Sequence, residues 1–194
     1  MRFKQQDSHL SIILDHAPSA NALTLENLQL LSQKLRSQKW SLVSCRAEGR
    51  VFSSGGPLKE FAMYKTKQQG LKYHRQMTQL LTNFHKCSAF KVAFVSGDCF
   101  GGGIEFLSCF DEIYCEPHVL FGFWQSRLGL SYGWGGYKRL QNKICAGYLK
   151  TALLEDQVAT AYEMQRQGLI KKILSREAME SQLQAWVEDR KSNV

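Results

Sequence analysis

The sequence lacks a long apolar run. Its most apolar stretches, such as residues 11–14 and 91–97, are far shorter than the roughly 20 residues that span a bilayer, so we expect no membrane helix. The N-terminus MRFKQQDSHL has no apolar segment after its basic residues, which is untypical of a secretory signal. We therefore expect a cytoplasmic protein that does not associate with membranes.

The sequence also lacks paired cysteines and clustered histidines. None of the six cysteines forms a C-x-x-C pair, and the five histidines have no spacing that would place a metal on one helix face. We predict no metal site. Because each cysteine lies in a mostly apolar segment, buried free thiols are expected. The cysteines are Cys45, Cys87, Cys99, Cys109, Cys115 and Cys145.

Acidic residues are fewer than basic ones, 17 against 25, and the net charge of +8 favours an anionic partner. The basic residues are scattered and no tract mixes them with aromatic residues, which argues against nucleic acid and in favour of a phosphorylated small molecule. A length of 194 residues with 44% hydrophobic and 22% charged residues is typical of one soluble globular domain.

Strand and helix patterns alternate along the chain, which predicts an α/β fold. Thr24 is a good N-cap for the first helix, where leucines recur at helical spacing. We predict strands at 9–16, 41–46, 91–97, 112–116 and 119–123. We predict helices from 25 to about 37 and at 68–85, 104–110, 135–144, 146–154, 157–167 and 176–190.

Two glycine-rich turns stand out. Gly101, Gly102 and Gly103 follow a strand and open a helix, and the segment FSSGGPLKEF repeats this arrangement, with Pro57 suited to the first helical position. Helix N-termini leave N–H groups without partners, and glycines let a ligand approach them. Either both turns are tight connections only, or their amides converge as an oxyanion hole.

Glu105 lies two residues after the glycines, among apolar neighbours. Desolvation at such a position raises the pKa of a carboxyl group. A complement to the helix dipole is the alternative, but a general base beside an enolate-forming centre would have this environment.

Several segments resemble the crotonase, or enoyl-CoA hydratase/isomerase, superfamily over almost the whole chain. VFSSGGPLKEF resembles the family's F-x-x-G-x-D-L segment, and VSGDCFGGGIEFLSCFDEIYCE resembles its N-G-x-a-x-G-G-G-x-E-L-a-x-x-C-D segment. SANALTLENLQLL, LFGFWQSRLGLSYGWGGYKRL and QVATAYEMQRQGLIKKIL are similar to three further family segments in the same order.

The resemblance implies a ββα spiral superhelix (residues 1–133) followed by a mainly helical part (134–194), together forming one domain. It also implies a coenzyme A thioester as substrate, with the carrier being free CoA or acyl carrier protein, and no cofactor beyond the CoA moiety. The amides of Gly56 and Gly102 would hold the enolate oxygen, and Glu105 would be the base. The residues implied to contact CoA are Ser19, Ala20, Gly56, Pro57, Leu58, Lys59 and Gly102.

Four departures from the family pattern matter. Gln125 stands at the place of the second catalytic glutamate and cannot exchange a proton near neutral pH, which puts two-carboxylate hydration in doubt. Pro57 replaces an aspartate, and the chain stops roughly two helices early, so a wetter site or an altered form of the family's trimer, or dimer of trimers, is expected. Tyr132 stands where some family decarboxylases carry tyrosine, although packing is the alternative.

Three functions remain open from the sequence. The first is an isomerase-type or hydratase-like acyl-CoA enzyme in which Glu105 moves a proton. The second is a malonyl-type acyl-CoA decarboxylase, which needs no second carboxylate. The third is a weakened relative that binds an acyl-CoA or a protein without turnover.

Overall fold

The computed structural model describes residues 1–192. These residues form ten strands and eight α-helices. The strands are β1 (Arg2–Gln6), β2 (His9–Leu14), β3 (Leu42–Ala47), β4 (Val51–Ser53), β5 (Phe90–Val95), β6 (Asp98–Phe100), β7 (Glu112–Cys115), β8 (Leu120–Gly122), β9 (Val158–Thr160) and β10 (Lys172–Ile173). The helices are α1 (Leu25–Ser37), α2 (Leu58–Phe61), α3 (Lys67–Lys86), α4 (Gly102–Leu107), α5 (Gly136–Leu140), α6 (Ala146–Leu154), α7 (Ala161–Arg166) and α8 (Arg176–Ser192).

The strands form two sheets that the chain visits alternately. The six-stranded sheet has the order β1-β2-β3-β5-β7-β10, and the four-stranded sheet has the order β4-β6-β8-β9. Each of the successive pairs β3–β4, β5–β6 and β7–β8 places one strand in each sheet, and a helix follows the first two pairs. Most neighbours are parallel; β1–β2 and β8–β9 are antiparallel. The predicted ββα spiral is confirmed.

Helix α1 begins where the sequence predicts. The Thr24 side chain accepts a hydrogen bond from the Asn27 amide at 3.1 Å, which satisfies one of the free N–H groups of the first turn. Leu28 and Leu31 are buried against the main core. The longer helix α3 has a full capping box between Thr66 and Gln69, which fixes its start one residue before the predicted one.

Strand β1 was not predicted. Its sequence RFKQQ has almost no apolar side, and most of its residues are exposed because β1 is the edge of the six-stranded sheet. Backbone pairing with β2, from Arg2 opposite Ile13 to Gln6 opposite His9, defines it instead of side-chain burial. Central strand β5 is the opposite case, since Lys91–Val95 are buried on both faces.

Three smaller predictions are corrected. The segment 157–167 was predicted as one helix, but β9 pairs with β8 before α7 begins. Pro57 is the N-cap of α2 and not its first helical residue. Cys145 is exposed and Cys87 partly buried, whereas the other four thiols are buried.

The C-terminal helix α8 covers the outer face of the six-stranded sheet. Met179 is buried there with Phe94 and Tyr114, and the Trp186 ring lies 6.2 Å from the Phe94 ring. Within residues 1–192, no helix has both the length and the apolar character needed to cross a membrane.

Candidate active site

The first glycine turn connects β4 to α2. Gly55 has a φ of +89°, a left-handed conformation that favours glycine, and its amide donates to Ser53 Oγ at 3.1 Å. A Cβ added to Gly55 would lie 2.7 Å from the Gly102 amide nitrogen. The two glycine turns that the sequence singled out are therefore in direct contact.

The second glycine turn connects β6 to α4. Gly101 has a φ of +50°, and its amide donates to the Gly122 carbonyl at 2.9 Å, which ties the turn to β8. The positive φ of Gly101 turns the chain, so that α4 begins at Gly102 immediately after β6 ends at Phe100. Because the turn is bonded to β8, strand pairing fixes the position of the Gly102 amide.

The amides of Gly56 and Gly102 have no acceptor among the described residues. The indole ring of Trp134 packs against both residues: an added Cβ would lie 3.1 Å from Trp134 Cζ2 at Gly56 and 2.4 Å from Cζ3 at Gly102. Both glycines line one pocket with a volume of about 130 Å³. Two unpaired donors therefore border one cavity.

Glu105 lies in the wall of this pocket and is 3% exposed. Its Oε2 accepts hydrogen bonds from the Trp134 amide at 2.9 Å and from the Gly136 amide at 2.8 Å. Burial raises the pKa of Glu105 from 4.5 to about 7, although the amide hydrogen bonds and the charge of Arg139 oppose this shift. The predicted burial and raised pKa are both confirmed.

Arg139 anchors the residues around the Glu105 carboxylate. Its guanidinium donates to Ser108 Oγ at 2.8 Å and to the Trp134 carbonyl at 3.0 Å. Arg139 is itself buried, with 8% exposed, and it also donates to the Glu105 backbone carbonyl at 3.3 Å. Arg139 therefore ties helix α4 to the segment that donates to Glu105 Oε2.

Gln125 also lines the pocket. Only 8% of the residue is exposed, and neither Oε1 nor Nε2 has a hydrogen-bond partner within residues 1–192. The amide lies beside the second glycine turn, since a Cβ added to Gly101 would be 3.6 Å from Nε2. A buried amide without partners costs free energy unless a ligand or water satisfies it.

Tyr132 does not line this pocket but borders a neighbouring cavity of about 300 Å³, which Gln125 also lines. The Tyr132 hydroxyl is enclosed and lacks a hydrogen bond of good geometry, although Gln125 lies beside it. Burial and the charge of Glu105 hold the pKa of Tyr132 well above its usual range. Gln125 therefore stands between two cavities.

The residues implied to contact CoA lie around the first glycine turn. Leu58 lines the pocket, whereas Ser19, Ala20, Pro57 and Lys59 lie outside its lining. The Ala20 carbonyl accepts from the Ser54 amide at 2.9 Å, and the Ser19 carbonyl accepts from Ser54 Oγ at 3.2 Å. Since Ser54 lines the pocket, the loop at 19–20 is joined to its edge.

Among the pocket residues that sequence reasoning missed, two shape the site most directly. Trp134 packs on both glycine turns, and His74 of α3 reaches the pocket from a different helix. Trp134 could have been noticed as a large side chain inside the glycine-rich segment SYGWGGY. His74 gives no such signal, because only tertiary packing brings α3 to the pocket.

Comparison with known proteins identifies a family. The family model described as "Enoyl-CoA hydratase/isomerase" matches residues 5–193. Human ethylmalonyl-CoA decarboxylase is 29% identical over 160 residues, which cover 76% of this chain and 52% of that protein. The rat "Enoyl-CoA hydratase domain-containing protein 3, mitochondrial" is 28% identical over 196 residues, covering 92% of this chain and 61% of that protein.

Solved structures show the same fold at lower identity. Enoyl-CoA hydratase from Thermoplasma volcanium GSS1 superposes with a TM-score of 0.86 at 20% identity, covering 96% of this chain and 76% of that chain. Human enoyl Coenzyme A hydratase domain-containing protein 3 superposes with a TM-score of 0.84 at 22% identity, covering 97% and 76%. The chain spans about half the length of the curated relatives described above.

Proposed function

We propose, because this chain belongs to the enoyl-CoA hydratase/isomerase family, that it binds an acyl-CoA thioester and stabilises the enolate formed from it. The observation that carries the proposal is Glu105, a buried carboxyl group with a pKa raised to about 7, which lines the same pocket as two glycine amides without acceptors. The Gly56 and Gly102 amides would donate to the thioester oxygen as it gains negative charge. Glu105 would move the proton at the neighbouring carbon.

Isomerase-type proton transfer suits this site better than hydration by two carboxylates. A single group that accepts a proton at one carbon and returns it to another is sufficient for isomerisation. Because its pKa lies near neutral pH, Glu105 is present in both protonation states, which a proton shuttle requires. Gln125, at the position of the family's second glutamate, holds an unpaired amide that cannot take up a proton.

The CoA moiety would lie across the edge formed by residues 19–20 and 56–59. Lys59 is exposed there and offers a cation for a phosphate group. No cofactor beyond the CoA of the substrate is needed for this chemistry. We extend the proposal to a homotrimer, or a dimer of trimers, in the cytoplasm.

A second candidate function is decarboxylation of a malonyl-type thioester. Tyr132 favours it, because the family resemblance places this residue where some decarboxylases carry tyrosine, and its hydroxyl is enclosed beside Gln125. Loss of carbon dioxide would produce the same enolate, and protonated Glu105 would return a proton to it. Similarity to a protein named ethylmalonyl-CoA decarboxylase also supports this candidate.

The test is direct. Purified protein is incubated in D2O with butyryl-CoA, and separately with a 3-enoyl-CoA and with methylmalonyl-CoA, and the products are followed by mass spectrometry and ultraviolet absorbance. Deuterium at the α-carbon of butyryl-CoA supports the enolate proposal; a shifted double bond or loss of carbon dioxide selects between the two candidates. Binding of CoA without any of these changes would contradict both and favour a non-catalytic binding protein.

A further inference from the structure

A histidine with unpaired ring nitrogens lies in the wall of the same pocket. His74 is half-buried, and its ring packs 6.3 Å from the Phe61 ring and 5.7 Å from the Tyr73 ring, measured between centroids. Its Nδ1 is enclosed and has no hydrogen-bond partner within residues 1–192. Its Nε2 makes no hydrogen bond among these residues either and is not one of their enclosed unpaired atoms. Nε2 therefore keeps its capacity to bind water or a ligand.

The chain makes room for this imidazole at Gly133. A Cβ added to Gly133 would lie 2.7 Å from His74 Nδ1, so a side chain there would displace the ring. The next residue, Trp134, donates its amide to Glu105 Oε2 at 2.9 Å. The imidazole and the carboxylate therefore contact adjacent residues of one short segment.

Gln125 lines the same cavity as His74 and Glu105. Both polar atoms of its amide are enclosed and make no hydrogen bond of good geometry within residues 1–192. The pocket, of about 130 Å³, has room for ordered water. A water bound beside the His74 imidazole is within proton-transfer reach of the ring.

The protonation states of the two titratable groups suit opposite roles. Burial lowers the pKa of His74, which keeps the imidazole neutral and able to accept a proton. Burial raises the pKa of Glu105 to about 7, so that part of the protein carries a carboxylic acid at neutral pH. A base and an acid can therefore be present in one pocket at once.

We propose that His74 is a second catalytic residue of this pocket, which accepts a proton at Nε2 from a water molecule bound there. The assignment rests on the proposed thioester site. With His74 as the base, this site can add water to its substrate without a second carboxylate. The water oxygen bonds to the β-carbon of a 2-enoyl thioester, and the water proton goes to His74. The electrons of the double bond move into the enolate, and protonated Glu105 gives its proton to the α-carbon. Solvent then carries the proton from His74 back to Glu105.

Two readouts on the same protein separate this assignment from the proposed function. Hydration of crotonyl-CoA, followed as the gain of one water by mass spectrometry, requires His74. Deuterium exchange at the α-carbon of butyryl-CoA in D2O requires only Glu105 and the glycine amides. We expect His74→Asn to lower hydration by about 100-fold or more, and to lower exchange far less.

The control is His85→Asn, which changes an exposed histidine on the same helix and should preserve both reactions. His74→Gln provides a second variant of similar size, in case the asparagine disturbs folding. In His74→Ala, added imidazole should restore part of the hydration, which a purely structural role would not allow.

Three results would overturn the assignment. Hydration by the His74 variants at the wild-type rate would remove His74 from the reaction. Exchange without any hydration in the wild type would do the same while leaving the proposed function intact. Absence of both reactions in the wild type would defeat the proposed function as well.

Discussion

Buried polar groups on two sides of one pocket differ in whether they have hydrogen-bond partners. On the side of α4 and residues 133–136, the Glu105 carboxylate accepts two amide hydrogen bonds, and Arg139 anchors the segment that donates them. On the side of Gln125, both polar atoms of the amide are enclosed but make no hydrogen bond of good geometry among the described residues. The first side is preorganised for a charge, and the second keeps an unsatisfied amide.

The largest effect should come from Glu105→Gln. The new amide oxygen can still accept from Trp134 and Gly136, so the fold should persist while proton transfer is lost. We expect α-proton exchange to fall by about 10²- to 10⁴-fold, measured by deuterium incorporation. Glu180→Gln, on the exposed surface of α8, is the matched control and should retain full exchange. Undiminished exchange in Glu105→Gln would remove this carboxyl group from the mechanism.

Glu105 should also make the unfolding free energy of the protein depend on pH. The folded-state pKa of Glu105 is raised to about 7 from 4.5, so the folded protein binds the extra proton between these values. This stabilisation is complete below pH 4.5 and is lost as the pH rises through 7. It amounts to about 3 kcal/mol of unfolding free energy.

Urea titrations from pH 4 to 8 on the wild type and on Glu105→Gln would measure this difference. The glutamine variant should lack this decline, and the gap between the two curves isolates the single group. Parallel curves would mean that Glu105 has an ordinary pKa in the folded protein.

Adding a side chain at Gly102 should change stability less than the titration of Glu105 does. In Gly102→Ala the new Cβ would come 2.4 Å from Cζ3 of Trp134, a ring that is itself buried. We expect a loss of about 1–3 kcal/mol of unfolding free energy, together with reduced exchange because the amide is displaced. Gly70→Ala is the control, since nothing lies within 4 Å of its added Cβ. In helix α3 that change should stabilise by about 0.5–1 kcal/mol.

The smallest expected effect concerns the unsatisfied side. Gln125→Met replaces a buried amide without partners by an apolar side chain of similar length, and we expect the free protein to gain about 1 kcal/mol of stability. Ser53→Ala is the contrasting change, because Ser53 Oγ both donates to the Asn21 carbonyl and accepts from the Gly55 amide. That variant should lose about 1–2 kcal/mol. Thermal or urea unfolding would measure both, and equal losses would show that Gln125 is already satisfied.

Local sequence signals predicted much of the fold. Thr24 as an N-cap, the leucine spacing of α1 and the apolar run of β5 each depend on residues within one element, and the structure confirms them. β1 and β9 were missed because their strand state depends on pairing with β2 and β8, which lie elsewhere in the chain. The segment around β9 carries helix-forming residues, but β8 supplies the ladder that overrides this preference.

Sequence reasoning covered the candidate site only in part. It predicted that Glu105 is buried with a raised pKa, since its neighbours in the chain are apolar. It placed Gly56 and Gly102 in turns, and their role as oxyanion donors stays a prediction. It could not predict that Trp134 packs on both turns or that Gln125 has no partner, because the contacting atoms come from separate segments.

By itself, the sequence determined most of the helices, the central strands of the six-stranded sheet, the two glycine turns and the apolar surroundings of one carboxyl group, since neighbouring residues specify these features. Only the tertiary structure decided which groups share the cavity. His74 from α3, Trp134 from the loop before α5 and Gln125 after β8 meet there because the alternating strands of the two sheets bring distant parts of the chain to one place. Local preferences act over a few residues, whereas the chemistry of this pocket depends on contacts between residues far apart in sequence.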